Sequence, residues 1–194
     1  MSHTLSPLKV GHDVPWVTSW TGEAHLGIGR CFTVNGRPAL GQADAPGRGK
    51  PQYSKNHLVR QRLSVIRMLC PMCGAPTAED DRWTQVAKPV AAGALRRKGL
   101  LLPAAIEEDR VLLDAGAIAP LHRRCVDRSL RHCPHLRASP DVHVRRFPAM
   151  WTVIPLLIDA DEIAGRRPEM VGFLQLCGVT RTIDRRWRLT EPQT

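Results

Sequence analysis

Cys70-Pro71-Met72-Cys73-Gly74 constrains this chain more than any other segment, because it has the form of half a metal site. Two thiolates separated by two residues can both reach one ion, since the turn between them points its amide groups at the sulfurs. Gly74 supplies the left-handed residue that such a knuckle needs after its second cysteine. A tetrahedral ion requires two further ligands, and His122-x-x-Cys125 repeats the spacing at the predicted start of a helix. The preferred ligand set is therefore Cys70, Cys73, His122 and Cys125, with a structural Zn2+ as the expected cofactor.

Helical geometry divides the segment around the second pair. With 121–133 taken as a helix and His122 at zero, Cys125, Val126, Ser129, Leu130 and Cys133 fall at about 300°, 40°, 340°, 80° and 20°. Arg124, Arg128 and Arg131 fall at about 200°, 240° and 180°, on the opposite side. One face thus carries ligands and core, and the other an arginine stripe. Cys133 lies about 12 Å further along the axis than Cys125. Pro134 also disfavours helical geometry at Cys133, so Cys133 and His135 are second-choice ligands or packing groups.

The compartment follows from what surrounds these motifs. Six cysteines are few for a disulfide scaffold of 194 residues, and residues 1–16 contain no apolar run that reads as a signal peptide. The longest apolar run, Phe147–Ile158, is broken by Pro148 and Pro155 and falls short of the ~20 residues of a membrane span. The expectation is a cytoplasmic protein with reduced thiols and no membrane partner. There a Cys-x-x-Cys is metal-binding or redox-active. A helix, not a strand, is predicted before Cys70, which argues against the redox reading. Cys31 and Cys177, alone in apolar surroundings, are expected to be buried structural thiols.

The net charge is +10, with a pI near 10.1. Residues 111–150 carry seven basic and three acidic groups, whereas 151–194 carry six of each. The excess sits in the N-terminal third and around the His122–Cys125 pair. Such asymmetry favours an anionic partner, of which nucleic acid is the commonest. The bland alternative is a solubilising excess. The expected nucleic-acid contacts are Arg124, Arg128 and Arg131, extended by Arg62, Arg67 and Lys50. Lys50 ends a GRGK stretch that lacks phosphate-loop spacing, and Pro51 follows where Ser or Thr is needed.

The fold class expected is α+β, a small irregular domain with a zinc-binding subregion. An irregular, strand-containing segment occupies 1–54, a zinc-binding helical region 55–140, and an α/β segment 141–194 that packs on the same domain. VPWVTSW and RCFTVNG read as strands, with a turn at Asn35-Gly36. Residues 41–54 read as a loop. Ser54 is the expected cap of a helix over 55–68 that buries Leu58, Leu63, Val65 and Ile66 and exposes Arg60, Arg62 and Arg67. AAGALRRKG reads as a short helix, and RVLLD, VHVRRF, WTVIPLLI and TIDRRWRLT as strands. A helix is expected around 168–176.

A zinc knuckle followed by ligands in the first turn of a helix resembles the treble-clef zinc finger. The sequence also resembles a group of phage and actinobacterial proteins that carry CxxCG, a proline with a ligand pair, and then CPHL. The matching residues are Cys70 to Gly74, Pro120, His122, Cys125 and Cys133-Pro134-His135-Leu136. The resemblance covers about 65–140 and implies a zinc fold without implying an activity.

Three functional readings follow. The leading one is a non-enzymatic, zinc-stabilised basic protein of phage or bacterial type that binds nucleic acid. The second is a protein-interaction, assembly or inhibitor protein with a structural zinc, acting within a larger complex. The third is a divergent nuclease, because treble clefs underlie the HNH enzymes. Those enzymes place a catalytic histidine between the two zinc knuckles, and residues 74–121 contain none. A nuclease would have to recruit His132, His135 or His143, with a carboxylate such as Asp141 and a second metal. No catalytic residue is therefore assigned.

Overall fold

The structure, a computed structural model, describes residues 4–158 and 170–179. Its strands in chain order are β1 (Thr18–Trp20), β2 (His25–Arg30), β3 (Pro38–Gln42), β4 (Pro51–Asn56), β5 (Trp83–Thr84), β6 (Lys88–Ala91), β7 (Val111–Asp114), β8 (Arg145–Arg146), β9 (Met150–Ile158) and β10 (Met170–Val179). The helices are α1 (Leu58–Arg67), α2 (Ala92–Arg97), α3 (Arg123–His132) and α4 (Pro134–Ala138). The described residues form an α+β fold, as expected.

β10 is the centre of a six-stranded sheet. β9 pairs with it antiparallel along its length, from Met170↔Ile158 to Val179↔Met150. The opposite edge of β10 is shared. β3 meets it in parallel at Val171↔Ala39, and β7 meets it antiparallel from Cys177↔Asp114 to Val179↔Leu112. β2 extends the sheet beyond β3, and β6 extends it beyond β7. Pro155 is tolerated within β9 because, among the described residues, that strand pairs with β10 alone and its other edge has no ladder to break.

The shared edge leaves backbone groups between β3 and β7 with no strand beside them, and α1 fills the interval. Gln61 Nε2 donates to Leu174 O at 2.8 Å and to Ala117 O at 2.9 Å, while Leu174 N–H donates to Gln61 Oε1 at 3.0 Å. A side-chain amide here replaces a missing strand residue. Arg62 completes the repair, donating from Nη1 to Gly172 O and from Nη2 to Leu40 O, both at 2.8 Å. The buried face of α1 is polar for this reason, with Arg62 at 1% exposure and Gln61 at 0%.

This arrangement corrects several sequence expectations. Arg60 and Arg62 are buried, while Ile66 is exposed and Leu63 half-buried; Leu58 and Val65 are buried as expected. An amphipathic reading assigns apolar residues to the core, but here the core side of α1 must satisfy a broken sheet edge. Ser54 does not cap α1. It lies in β4, and His57 takes the cap, its Nδ1 accepting from Arg60 N–H at 3.2 Å. The 41–54 loop is shortened at both ends by β3 and β4, and β4 pairs with the distant β1. The segment expected as a helix around 168–176 is instead β10 from Met170 onward. A strand buried on both faces has a continuous apolar run, which periodicity cannot distinguish from a buried helix. The Asn35-Gly36 turn is present, with both residues at positive φ (55° and 74°). TIDRRWRLT lies outside the described residues.

A buried ion pair anchors the N-terminal end of α1. Arg60 meets Glu23 through two hydrogen bonds of 2.6 and 2.9 Å, and also donates to Thr18 O at 2.8 Å. Asp44 contacts the same guanidinium from the surface. His57 Nε2 donates to Ala43 O at 3.0 Å. Burial holds the His57 imidazole below its ordinary 6.5, against the pull of the Ala43 carbonyl and the nearby carboxylates. The unfolded chain therefore takes up this proton first as pH falls. Its contribution to stability is present above 6.5 and is lost as pH drops below that value toward the lowered folded pKa. With zinc bound throughout, the fall in urea midpoint between about pH 7 and about pH 5 is expected to be smaller in His57→Gln than in wild type. Equal falls would remove His57 from the acid response.

Candidate metal centre

The first ligand pair is held by its own turn and by the N-terminal segment. Cys70 N–H donates to Ala75 O at 2.8 Å, and Gly74 N–H to Cys70 O at 2.7 Å. Gly74 has φ +77°, and a Cβ there would lie 2.9 Å from the Trp16 ring, so glycine is required twice over. Trp16 N–H and Val17 N–H donate to Met72 O (2.8 Å) and Pro71 O (3.0 Å), clamping the knuckle from outside. α1 delivers the chain to this turn through Met68 in the left-handed conformation. The Met68 carbonyl accepts from the Thr77 amide and hydroxyl at 2.9 and 2.8 Å.

The second pair arrives at the start of α3, where His122 is the N-cap residue. His122 Nδ1 lies 3.4 Å from Cys73 Sγ and 4.0 Å from Cys125 Sγ. The donor atoms of Cys70, Cys73, His122 and Cys125 all fall within 4.8 Å of one another. Zinc bond lengths at tetrahedral angles require about 3.6 Å between sulfur and nitrogen and about 3.8 Å between sulfurs. The observed spacings bracket the first value. His122 Nε2 donates to Pro76 O at 3.0 Å, which leaves the Nδ1 lone pair facing the sulfurs. The group can hold a metal ion, and three thiols with one imidazole suit zinc.

The centre sits in a small core of its own. Cys70, Leu121, Cys125 and Val126 are buried together, with Met72, Cys73, Trp83, Leu130 and Val144 packed around them. Burial pushes the Cys125 thiol up to about 12, and the neighbouring cysteines add to the shift. Burial likewise raises Cys70, against the pull of nearby backbone amides. Metal uptake at neutral pH must therefore displace protons from these sulfurs.

The remaining candidates divide. Cys133 is the C-cap of α3 and stands outside the ligand group, because the helix breaks there and Pro134 starts α4. His132, His135 and His143 are exposed, and among the described residues none belongs to a metal-competent group. Asp141 is paired with Lys88 at 2.7 Å. A second group, Glu23, Asp44 and His57, has metal-like spacing. Its carboxylates are engaged by the Arg60 guanidinium, so it is a structural ion-pair network. Asp81, in an acidic triplet, has a structural task, its Oδ1 accepting from Arg123 N–H at 2.8 Å at the start of α3.

The arginines also separate. Arg124 and Arg131 are exposed and Arg128 half-exposed, while Cys125, Val126 and Ser129 are buried. Arg67 is exposed and stacks over the Phe32 ring, and Lys50 is exposed beside Thr21. Arg62 is a correction: its guanidinium is spent on Gly172 O and Leu40 O and cannot reach a surface anion. Cys177 is buried, but Cys31 is half-buried. Burial would raise the Cys31 thiol, yet hydrogen bonds from Thr33 and the Arg62 charge leave it lowered. The Cys31 sulfur lies 3.0 Å from Thr33 Oγ1.

By sequence Trp83 reads as a core anchor rather than a base-stacking platform, and nothing singles out Arg123 or Arg146. Trp83 and Leu121 exchange two backbone hydrogen bonds of 2.9 and 2.8 Å, one residue before the ligand His122. Arg123 and Arg146 both stand over the Trp83 ring, 5.1 and 5.3 Å from its centre. Arg123 directly follows the ligand His122, but nothing in the sequence links it to residue 146. No family model, curated protein or solved structure matches this chain.

Proposed function

We propose that the chain is a zinc-stabilised basic protein of phage or bacterial type that binds nucleic acid and performs no catalysis. On this reading the zinc is structural and its surroundings are treble-clef-like. A knuckle supplies Cys70 and Cys73, a helix start supplies His122 and Cys125, and four protein ligands leave no open position for a reacting water. The observation that carries the reading is the two-sidedness of α3. The face toward the ligands is buried, and Arg124, Arg128 and Arg131 project from the other. Metal binding thereby fixes the direction in which three guanidinium groups point. A net charge of +10 supplies the long-range attraction for a polyanion.

Phosphate contacts release counterions, so binding weakens steeply as salt rises. Arg124→Glu combined with Arg131→Glu is expected to lower affinity for DNA or RNA at low salt by about tenfold or more and to flatten the salt dependence. Unchanged binding of both nucleic acids by a variant that keeps its zinc would end the proposal. A stoichiometric protein partner purified free of nucleic acid would favour the assembly reading instead.

A further inference from the structure

We infer that Trp83, Arg123 and Arg146 form a stacking platform for single-stranded nucleic acid at the N-terminal end of the α3 arginine face. The inference rests on the nucleic-acid reading and adds a site and a strand preference to it. β5 and β8 form a two-stranded ribbon in which Trp83 pairs with Arg146. Directly opposite residues on such a ribbon share a face, which places the Arg146 guanidinium over the indole. Arg123, the first residue of α3, reaches the same ring from the helix. Two cations therefore converge on one half-buried tryptophan, from two elements far apart in sequence.

The ring is held in place. Trp83 packs against the core around Cys70, Leu121, Cys125 and Val126, and its backbone is locked to Leu121 by the paired hydrogen bonds. The platform is thus coupled to the metal centre through a rigid bridge. A guanidinium held over an indole ring can offer a face to a base and edge donors to phosphate. Arg124, next to Arg123 in sequence, continues the basic surface into the stripe.

Single-stranded nucleic acid fits this chemistry better than a duplex. Unpaired bases expose the π faces that stacking needs, whereas a duplex hides them. The local charge is mixed, which also disfavours a duplex. Arg123 Nε is bound to Asp127 at 3.1 Å, and Asp81 lies at the helix start. These carboxylates repel a dense double array of phosphates but do not prevent bases from stacking. Among the described residues, Arg146 has no carboxylate partner.

The test uses the full, zinc-loaded chain and fluorescence anisotropy at low salt, with a labelled oligothymidylate and a duplex of equal length. Wild type is expected to prefer the single strand by about tenfold. Arg123→Ala plus Arg146→Ala should erase most of that preference. Arg30→Ala plus Arg37→Ala, which removes the same charge from exposed positions at the β2–β3 end, should preserve it. Equal losses in the two double variants, or a wild type that binds duplex as well as single strand, would overturn the platform. If that happened while Arg124→Glu plus Arg131→Glu still abolished binding, the nucleic-acid reading would stand without the platform. Failure of wild type to bind either probe would remove both. Should the first double variant lose its zinc, Arg146→Gln alone, at the exposed position of the two-residue strand, serves as the deciding variant.

Discussion

Cys73→Ser is expected to purify with well below one zinc per chain and to lose the ordered structure around α3. The magnitude follows from linkage. Zinc bound by such ligand sets contributes an apparent ~10–16 kcal/mol in small zinc peptides at neutral pH. That range is comparable to the whole stability of an ordinary domain, about 5–15 kcal/mol. Replacing one thiolate by a hydroxyl removes one of the four metal bonds that tie the knuckle to the start of α3. Among the described residues, the apolar core here has four buried members, two of them candidate ligands, so burial alone does not compensate. Metal analysis and hydrogen exchange at the Trp83 and Leu121 amides would read the effect, because those amides form the bridge beside His122. Cys133→Ser is the contrast. It should keep one zinc and change stability by no more than about 1 kcal/mol, within the usual range for a half-buried position. Loss of zinc in Cys133→Ser, with retention in Cys73→Ser, would overturn the ligand assignment.

Gln61→Leu is expected to be the most damaging substitution away from the metal, at about 3–6 kcal/mol. Leucine matches glutamine in size and apolar character would ordinarily suit a fully buried helix position. It cannot, however, satisfy the groups that Gln61 serves: the N–H and C=O of Leu174 and the C=O of Ala117. Each buried backbone group left without a partner costs about 1–3 kcal/mol, and Leu174 is itself buried beside Gln61. The measurement is the urea midpoint of the zinc-loaded protein. A loss below about 1 kcal/mol would mean that the sheet edge closes without α1.

These two predictions differ in how far the sequence alone could support them. The metal-competent group was legible because its chemistry is local twice over. A Cys-x-x-Cys-Gly turn and a His-x-x-Cys helix start each preorganise two donors within four or five residues, and a tetrahedral ion needs two such pairs. The second rank of Cys133 was legible for the same reason, since the proline after it ends the helix. The direction of the arginine stripe followed from the helical repeat, and the observed burial along α3 agrees with it.

Gln61, Arg62 and the Trp83 platform were not legible, because each depends on a neighbour far away in the chain. Arg62 reads as a surface cation in its own helix, yet it lies against Gly172, 110 positions later. Arg146 meets Trp83 only because β8 returns to β5 across the metal-bearing segment. The continuous apolar stretch from Met170 onward could have been helix or strand, and the partners β9, β3 and β7 decided for strand. The sequence by itself determined where a metal can bind and which side of α3 stays wet, since both follow from spacing within one turn or one helix. Only the tertiary structure decided which arginines are free to meet a partner, because a guanidinium takes its role from the carbonyls, carboxylates and rings that the fold brings to it.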